Sequence, residues 1–253
     1  YVIFNGPAEK LTSTAYCQPA ILTFSIAALK AFQAHPAYKN ISPQFAAGLS
    51  LGEYSALAAI EALSFEDTIK LVQARSAFME EATKLSAGKM AAIIGCEKEK
   101  LVGICQETGA EVANYNSPQQ IVITGHAAKV EAACAKIRQA GAKSVIPLDV
   151  SGAFHSSLMQ PAAEKFKIPL SLAKINPPKF PIVHNVDGRP SIHPKEIRQK
   201  LSTQITSAVQ WVETIEFVAS QGVGHFIEIG PGKVLSGLIK RINASLKYYN
   251  IET

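Results

Sequence analysis

A Gly-x-Ser-x-Gly pentapeptide is the feature that most constrains how this chain can fold. Residues 48–52 read Gly-Leu-Ser-Leu-Gly, after a short apolar run at 45–47 and before a helix-like stretch at 53–60. A strand, a sharp turn and a helix in this order form a nucleophile elbow, which exposes the serine at the helix N-terminus. Free N–H groups there can stabilise an oxyanion. The pattern predicts a nucleophilic Ser50; the alternative is a chance match at a strand–helix junction.

The order of predicted strands and helices indicates an α/β fold. Alternating strands and helices favour a mainly parallel sheet with helices on both faces. Residues 88–150 differ, because they read as strand, helix, strand, strand, helix, strand, the order of a ferredoxin-like unit. We therefore expect a hydrolase-like large subdomain at 1–87 and 151–253 with a ferredoxin-like small subdomain at 88–150 inserted in it. A site is expected at the seam between them.

Composition excludes several classes of function. The chain has 253 residues with a net charge of +5, and its lysines and arginines form no block. Nucleic-acid binding is therefore not expected, whereas an acidic protein or a phosphorylated cofactor would suit the surface. Apolar runs fall short of the ~18 residues of a membrane span. The four cysteines form no C-x-x-C pair, and the sequence has no metal-ligand spacing, so we expect neither disulfides nor a metal site.

An arginine interrupts the apolar stripe of a predicted helix over residues 64–82, for which Ser64 is the N-cap candidate, with Asp67 three residues later. Arg75 lies three residues after Val72 and four before Met79, so it is at the edge of the stripe. An arginine turned toward the core needs an anionic partner, because burying an unpaired charge costs several kcal/mol. The alternative is an arginine that extends its charge to solvent or pairs on the surface.

The best candidate for the base that activates Ser50 is His155. Serine is a weak nucleophile until a base, usually histidine, takes its proton. Of the six histidines, His155 alone lies in a small-residue loop where the inserted unit rejoins the large subdomain. The others fall in polar loops, at a helix start or beside strands. No carboxylate between Ser50 and His155 has the context of a hydrolase triad, so the sequence supports a Ser–His dyad.

Five stretches, in order and spacing over essentially the whole chain, resemble malonyl-CoA:acyl-carrier-protein transacylases. They are residues 48–54, 73–75, 114–118, 152–159 and 228–235. The resemblance has two departures. Leu49 stands where the family commonly has histidine, and the family's opening strand and Gly-Gln-Gly-x-Gln loop have no counterpart. We expect the sequence to be a fragment that lacks this N-terminal segment.

The resemblance implies a two-step (ping-pong) transfer with malonyl-CoA as substrate and no cofactor. Ser50 attacks the thioester with His155 as base, and the phosphopantetheine thiol of an acyl carrier protein then takes the malonyl group from the serine. The family's histidine is oriented by a backbone carbonyl, here that of Gln204. Arg75 would bind the free malonyl carboxylate, a pairing that suits arginine. The N–H of Leu51 would be one oxyanion donor.

The resemblance also implies residues around the acyl group and at the carrier protein. The positions that match the family's acyl pocket are Met79, Asn116, Val150, Phe154 and Val234. Phe154 resembles the malonyl-selective variant of its loop. The basic positions expected to meet the acidic carrier protein are Lys143, Lys240 and Arg241, for which plain solvated side chains are the alternative. The family's members are mostly monomers, and we expect a cytoplasmic enzyme, or a plastid or mitochondrial one if a targeting segment is missing.

Three other functions remain open at this stage. An acyltransferase that serves a polyketide synthase in trans would use the same residues. A hydrolase would use the same serine with water as acceptor, but Arg75 and the missing triad carboxylate argue against it. A non-catalytic module that binds carrier protein would not need Ser50, Arg75 and His155 together.

Overall fold

The computed structural model describes residues 2–252, which form an α/β protein. The helices are α1 (Val2–Asn5), α2 (Ala8–Thr12), α3 (Thr14–Ala34), α4 (Leu51–Ala59), α5 (Phe65–Thr83), α6 (Lys98–Thr108), α7 (Ala127–Gln139), α8 (Gln160–Leu172), α9 (Pro194–Gln204), α10 (Trp211–Ser220) and α11 (Val234–Ile242). The strands are β1 (Gly88–Ile94), β2 (Glu111–Ser117), β3 (Gln120–His126), β4 (Ser144–Pro147), β5 (Ile182–Val183), β6 (Pro190–Ser191), β7 (His225–Ile229) and β8 (Lys247–Ile251). Two 3-10 helices lie at Pro36–Asn40 and Ser157–Met159.

Strands β1 to β4 form one antiparallel sheet in the order β2-β3-β1-β4. Successive side chains of a strand point to opposite faces. On β1, Ala91 and Ile93 face the core under α6 and α7, whereas Met90 and Ala92 pack on the other face with Phe154. Phe154 also packs against the core of the helices around α4 and α5, so it joins the small sheet to the rest of the molecule next to His155.

The largest core lies among α3, α4, α5, α8 and α9. Tyr54 of α4 is completely buried and meets Phe166 of α8 edge to face, with 6.2 Å between ring centroids. The sequence patterns did not identify α8. It contains Pro169, and proline is unusual inside a helix because it removes a backbone donor and clashes with the preceding turn. Helix α8 accommodates it near its C-terminal end.

The helix start predicted at Ser64 agrees with the structure. The Ser64 hydroxyl accepts a hydrogen bond of 3.0 Å from the N–H of Asp67, three residues into α5. A serine at this position caps one of the free N–H groups of the first turn. The cap fixes where α5 begins, and the helix then carries Arg75 and Met79 into the core.

The mainly parallel sheet predicted for the large subdomain is not confirmed. Within residues 2–252, the strands outside the small sheet form two separate pairs, antiparallel β5–β6 and parallel β7–β8. The run at 45–47 contributes a single parallel bridge from Ala46 to Ile182. A continuous parallel sheet needs a strand on each side of such a run, and no described strand pairs with its other edge. Strand β8, for which no strand was predicted, completes a β7–α11–β8 unit.

By length and composition, helix α3 could cross a membrane. From the sequence we expect no apolar run of that length. Helices that pack in a protein core can have the same length and composition. In the fold, Leu22, Ala28 and Leu29 of α3 are buried, and Gln18 binds Arg75. Helix α3 therefore lies against α4 and α5, where it helps to build the site described next.

Candidate active site

The turn at residues 48–52 holds Ser50 in a strained conformation at the start of α4. Its φ of 51° and ψ of −105° are unusual for a residue with a side chain, and such strain concentrates at functional sites. A β-carbon on Gly48 would lie 2.1 Å from the carbonyl carbon of Gly52, so only glycine fits there. A β-carbon on Gly52 would meet nothing within 4 Å. The steric need for glycine therefore applies to the first glycine of the motif.

Asn185 holds both sides of this turn, a role that the sequence did not reveal. Its Oδ1 accepts a hydrogen bond of 2.6 Å from the N–H of Ser50, and its Nδ2 donates to the carbonyl of Gly48 at 2.7 Å. Asn185 is almost fully buried just after β5. These two bonds offset the strain of the turn and fix the direction in which the Ser50 side chain points.

His155 lies in hydrogen-bond contact with Ser50. Its Nε2 is 2.8 Å from the Ser50 Oγ, and its Nδ1 lies 3.1 Å from the carbonyl oxygen of Gln204 and 3.0 Å from that of Ser207. Carbonyl oxygens can only accept, so Nδ1 carries the proton and Nε2 is free to accept the serine proton. Two backbone carbonyls therefore orient His155: that of Gln204, as expected, and also that of Ser207.

The environment of His155 keeps its imidazole neutral. Burial, followed by the positive charge of Arg75, lowers the pKa of His155 from 6.5 to about 4. The base is therefore ready to accept a proton at neutral pH, and kcat/KM for the free enzyme should fall only as the pH approaches about 4. The measurement is a pH profile of Ser50 acylation; an acidic limb near 6.5 would contradict it.

The lowered pKa of His155 also predicts how the stability of the fold depends on pH. Below pH 6.5 His155 becomes protonated in the unfolded chain but not in the native state, so stability should fall as the pH drops from 6.5 to about 4.

In Arg75→Ala the pKa of His155 should rise, because one of the two causes that lower it is removed. The acidic limb of the profile should then move to higher pH.

Arg75 is buried beside the nucleophile. Its side chain is 1% exposed, and its Nη2 donates to the Ser50 Oγ at 3.0 Å and to the Gln204 Oε1 at 3.2 Å. Its Nη1 donates to the Gln18 Oε1 at 2.6 Å. Its hydrogen-bond acceptors are therefore neutral side chains, and no carboxylate among residues 2–252 forms a salt bridge with it. Burial lowers its pKa, which the phenol of Tyr54 and the carboxylate of Glu53 oppose.

The residues predicted around the acyl group lie in different surroundings. Val150 and Phe154 line one pocket of about 300 Å³, next to Thr83 and Glu80 of α5. Met79 is buried, and its Sδ is 3.8 Å from the Nε2 of Gln18.

Asn116 and Val234 are not among the residues that line this pocket. Asn116 on β2 has a buried Oδ1 with no hydrogen-bond partner among residues 2–252. Val234, the first residue of α11, is 68% exposed. Their place in an acyl pocket therefore stays a prediction.

The three cations predicted to meet a carrier protein are exposed, and two of them lie at one end of the small sheet. The Arg241 Nη1 donates to the Gln120 Oε1 at 3.3 Å, and Lys143 lies against Gly95. The N–H of Gly95 binds the carbonyl of Gln119 next to Gln120. Lys240 precedes Arg241 in the last turn of α11.

Metal ligands are not grouped in this region. No cluster of three or more His, Cys, Asp or Glu side chains suited to a metal ion occurs within residues 2–252.

Glu53, the acidic residue closest to the nucleophile in sequence, is buried and hydrogen-bonds to His184 and Gln204. One sequence signal could have identified Glu53 as a buried residue: it is the single carboxylate in the otherwise uncharged first turns of α4.

Comparisons with known proteins agree with this geometry. The family model described as an acyl transferase domain matches residues 1–247. The malonyl CoA-acyl carrier protein transacylase of Bacillus subtilis is 47% identical over 97% of this chain and 78% of its own length. The corresponding protein of Staphylococcus aureus is 43% identical over 99% and 81%.

Two solved structures have the same fold. The acyl-carrier-protein S-malonyltransferase of Bartonella henselae superposes with a TM-score of 0.94 at 40% identity, over 100% of this chain and 82% of its own. A malonyl-transacylase in complex with a type II polyketide synthase acyl-carrier protein has a TM-score of 0.94 at 39% identity, over 100% and 84%. The chain therefore belongs to the acyl transferase domain family and, within it, to the malonyl CoA-acyl carrier protein transacylases.

Proposed function

We propose that this chain transfers a malonyl group from malonyl-CoA to the phosphopantetheine thiol of an acyl carrier protein, for fatty acid synthesis. The observation that carries the proposal is the surroundings of the Ser50 Oγ, with the His155 Nε2 at 2.8 Å and the Arg75 Nη2 at 3.0 Å. A nucleophile that has a neutral base on one side and a buried cation on the other suits a thioester with a free carboxylate. Relatives named for this reaction support the same conclusion.

In the first half of the reaction, the Ser50 Oγ attacks the thioester carbonyl carbon while His155 Nε2 takes the hydroxyl proton. The N–H of Leu51, in the first turn of α4, is the donor we assign to the developing oxyanion, because the N–H groups of a helix's first turn have no partner within the helix. The carbon–sulfur bond then breaks, and His155 returns the proton to the sulfur of coenzyme A. Arg75 leaves the Ser50 hydroxyl to bind the malonyl carboxylate. The malonyl-serine ester forms without a cofactor.

In the second half, the carrier-protein thiol attacks the ester carbonyl and His155 takes the thiol proton. The ester bond breaks, and the proton passes to the Ser50 Oγ. Water could take the place of the thiol, as in a hydrolase. Against this, His155 is backed by two carbonyls instead of a carboxylate, and Arg75 is committed to one end of a diacid. A non-catalytic module is disfavoured because His155 and Arg75 both hydrogen-bond to the Ser50 hydroxyl.

An acidic carrier protein is the partner that the surface favours. Lys143, Lys240 and Arg241 are exposed, and Lys143 and Arg241 lie near one end of the small sheet; none of the three forms a salt bridge within residues 2–252. One structural neighbour is bound to a polyketide synthase carrier protein. This keeps a polyketide acyltransferase as the second candidate, since the chemistry is the same.

The proposed architecture has a hydrolase-like large subdomain at 1–87 and 151–253 and a ferredoxin-like small subdomain at 88–150. Support comes from separate hydrophobic cores, one under α6 and α7 and another among α4, α5, α8 and α9. The parallel bridge from Ala46 to Ile182 and the parallel β7–β8 pair support the large part. Bacterial relatives favour action in a cytoplasm over an organelle.

The test is malonyl transfer to a defined acceptor. The chain is mixed with malonyl-CoA and holo carrier protein, and the mass of the carrier protein is followed. We expect an increase by one malonyl group on the holo form and none on the apo form, which lacks the thiol. Release of free malonate with an unchanged carrier protein would contradict the transferase and favour the hydrolase.

A further inference from the structure

A carboxylate that touches no reacting atom is buried directly behind the nucleophile. Glu53, in the first turn of α4, is 1% exposed. Its Oε1 accepts a hydrogen bond from His184 Nδ1 at 2.7 Å, and its Oε2 accepts from Gln204 Nε2 at 2.7 Å and from the N–H of Asn185 at 3.3 Å. A buried carboxylate is costly unless it is fully hydrogen-bonded, and this one has three donors.

Glu53 determines which way the side-chain amide of Gln204 points. The Gln204 Nε2 donates to Glu53 and, at 3.0 Å, to the carbonyl of Ser50. The Gln204 Oε1 consequently faces Arg75 and accepts from Nη2 at 3.2 Å. A rotated amide would turn its oxygen toward the carboxylate and its NH2 group toward the guanidinium, and both contacts would be repulsive. Glu53 thus acts on Arg75 through the Gln204 amide, and we call these three residues the relay.

His184 anchors the other side of the carboxylate. It is completely buried, and its Nε2 has no hydrogen-bond partner among residues 2–252. The His184 Nδ1 lies 2.7 Å from the Glu53 Oε1, so the imidazole holds one oxygen of the carboxylate while the Gln204 amide holds the other. The carboxylate can then serve as a fixed negative charge on the side of Gln204 away from Arg75.

We propose that Glu53 and His184 are positioning residues that direct Arg75 toward the substrate carboxylate through the amide of Gln204. The inference rests on the proposed function, because it assigns to this buried group the orientation of the diacid-binding cation. In the free enzyme the relay holds the guanidinium against the Ser50 hydroxyl. When malonyl-CoA arrives, the bond between Nη2 and the Gln204 Oε1 keeps the guanidinium in place, while the bond from Nη2 to the Ser50 hydroxyl is exchanged for one to the incoming carboxylate.

The test compares Ser50 acylation by malonyl-CoA and by acetyl-CoA in the parent and in Glu53→Ala. Loss of the carboxylate frees the Gln204 amide and removes the charge behind Arg75. We expect the malonyl-to-acetyl ratio of kcat/KM to fall by about tenfold or more, the effect of one charge-assisted hydrogen bond. Glu53→Gln keeps the shape and an acceptor but loses the charge, so its ratio should fall less.

Two further variants keep the test decisive if Glu53→Ala does not fold. Gln204→Met keeps the backbone carbonyl on His155 but removes the amide, and it should lower the ratio similarly. Ile137→Ala, in the small-sheet core, is a control for lost stability and should leave the ratio unchanged. In an Arg75→Ala background, Gln204→Met should have no further effect on the ratio, because coupled residues are non-additive.

The possible failures are distinguishable. Equal losses for malonyl and acetyl groups in Glu53→Ala or Gln204→Met would overturn the relay while the parent still forms its malonyl adduct. A further fall of the ratio in the Arg75→Ala background would also overturn it. A parent that forms no adduct with malonyl-CoA would overturn the proposed function and the relay together.

Discussion

Replacing Ser50 with alanine is expected to abolish the malonyl adduct that forms when the parent chain is mixed with malonyl-CoA. The Ser50 Oγ is the atom that both His155 and Arg75 contact, and without it no group at the elbow can attack the thioester. Loss of a serine nucleophile lowers kcat by about 10⁶-fold in serine hydrolases, and a similar loss of transfer is expected here. Intact-protein mass spectrometry after brief mixing measures the adduct directly.

Ser55→Ala is the matched control for this variant. Ser55 lies on the same helix α4, and its hydroxyl has no hydrogen-bond partner among residues 2–252. This variant should keep the adduct and the transfer to carrier protein. An adduct on Ser50→Ala would show that another side chain is acylated, and the assignment of the nucleophile would then be wrong.

Arg75→Ala is expected to lower kcat/KM for malonyl-CoA by about 10²–10³-fold, the cost of removing one partner of a buried charge pair. Acetyl-CoA has no free carboxylate, so its acylation rate should change far less. The reason lies in the geometry, because Arg75 is buried 3.0 Å from the Ser50 Oγ and forms no salt bridge with a carboxylate among residues 2–252. Single-turnover acylation with each thioester gives the two values.

Arg75→Lys separates charge from shape. Lysine keeps a positive charge but cannot form the planar two-point contact of a guanidinium with a carboxylate. It also cannot bond Gln18, Gln204 and the substrate at the same time from one plane. We expect malonyl transfer between that of the parent and that of Arg75→Ala. Equal losses with malonyl-CoA and acetyl-CoA in Arg75→Ala would contradict the role of Arg75 as the carboxylate ligand.

Local patterns predicted the small sheet and the helices with strong signals. The β-α-β-β-α-β order appears at residues 88–147, and α5 begins where the Ser64 cap indicated. Period and capping are properties of neighbouring residues, so they can be read along the chain. Helix α8 was not predicted, and Pro169 inside it is unfavourable for a helix. Strand β8 was not predicted, and its residues show no clear alternation of apolar and polar side chains.

The chemical groups of the site could be predicted from the sequence: a serine at a strand–turn–helix junction, a histidine in a small-residue loop and an arginine at the edge of an apolar stripe. Their hydrogen-bond partners could not, because these depend on tertiary packing. Asn185 fixes the Ser50 turn from 135 residues away, and Glu53 meets His184 across 131 residues. Such contacts depend on how the elements after 150 pack against α4, which no local periodicity encodes. The nucleophile was therefore readable from the chain, whereas the buried network that aims Arg75 was not.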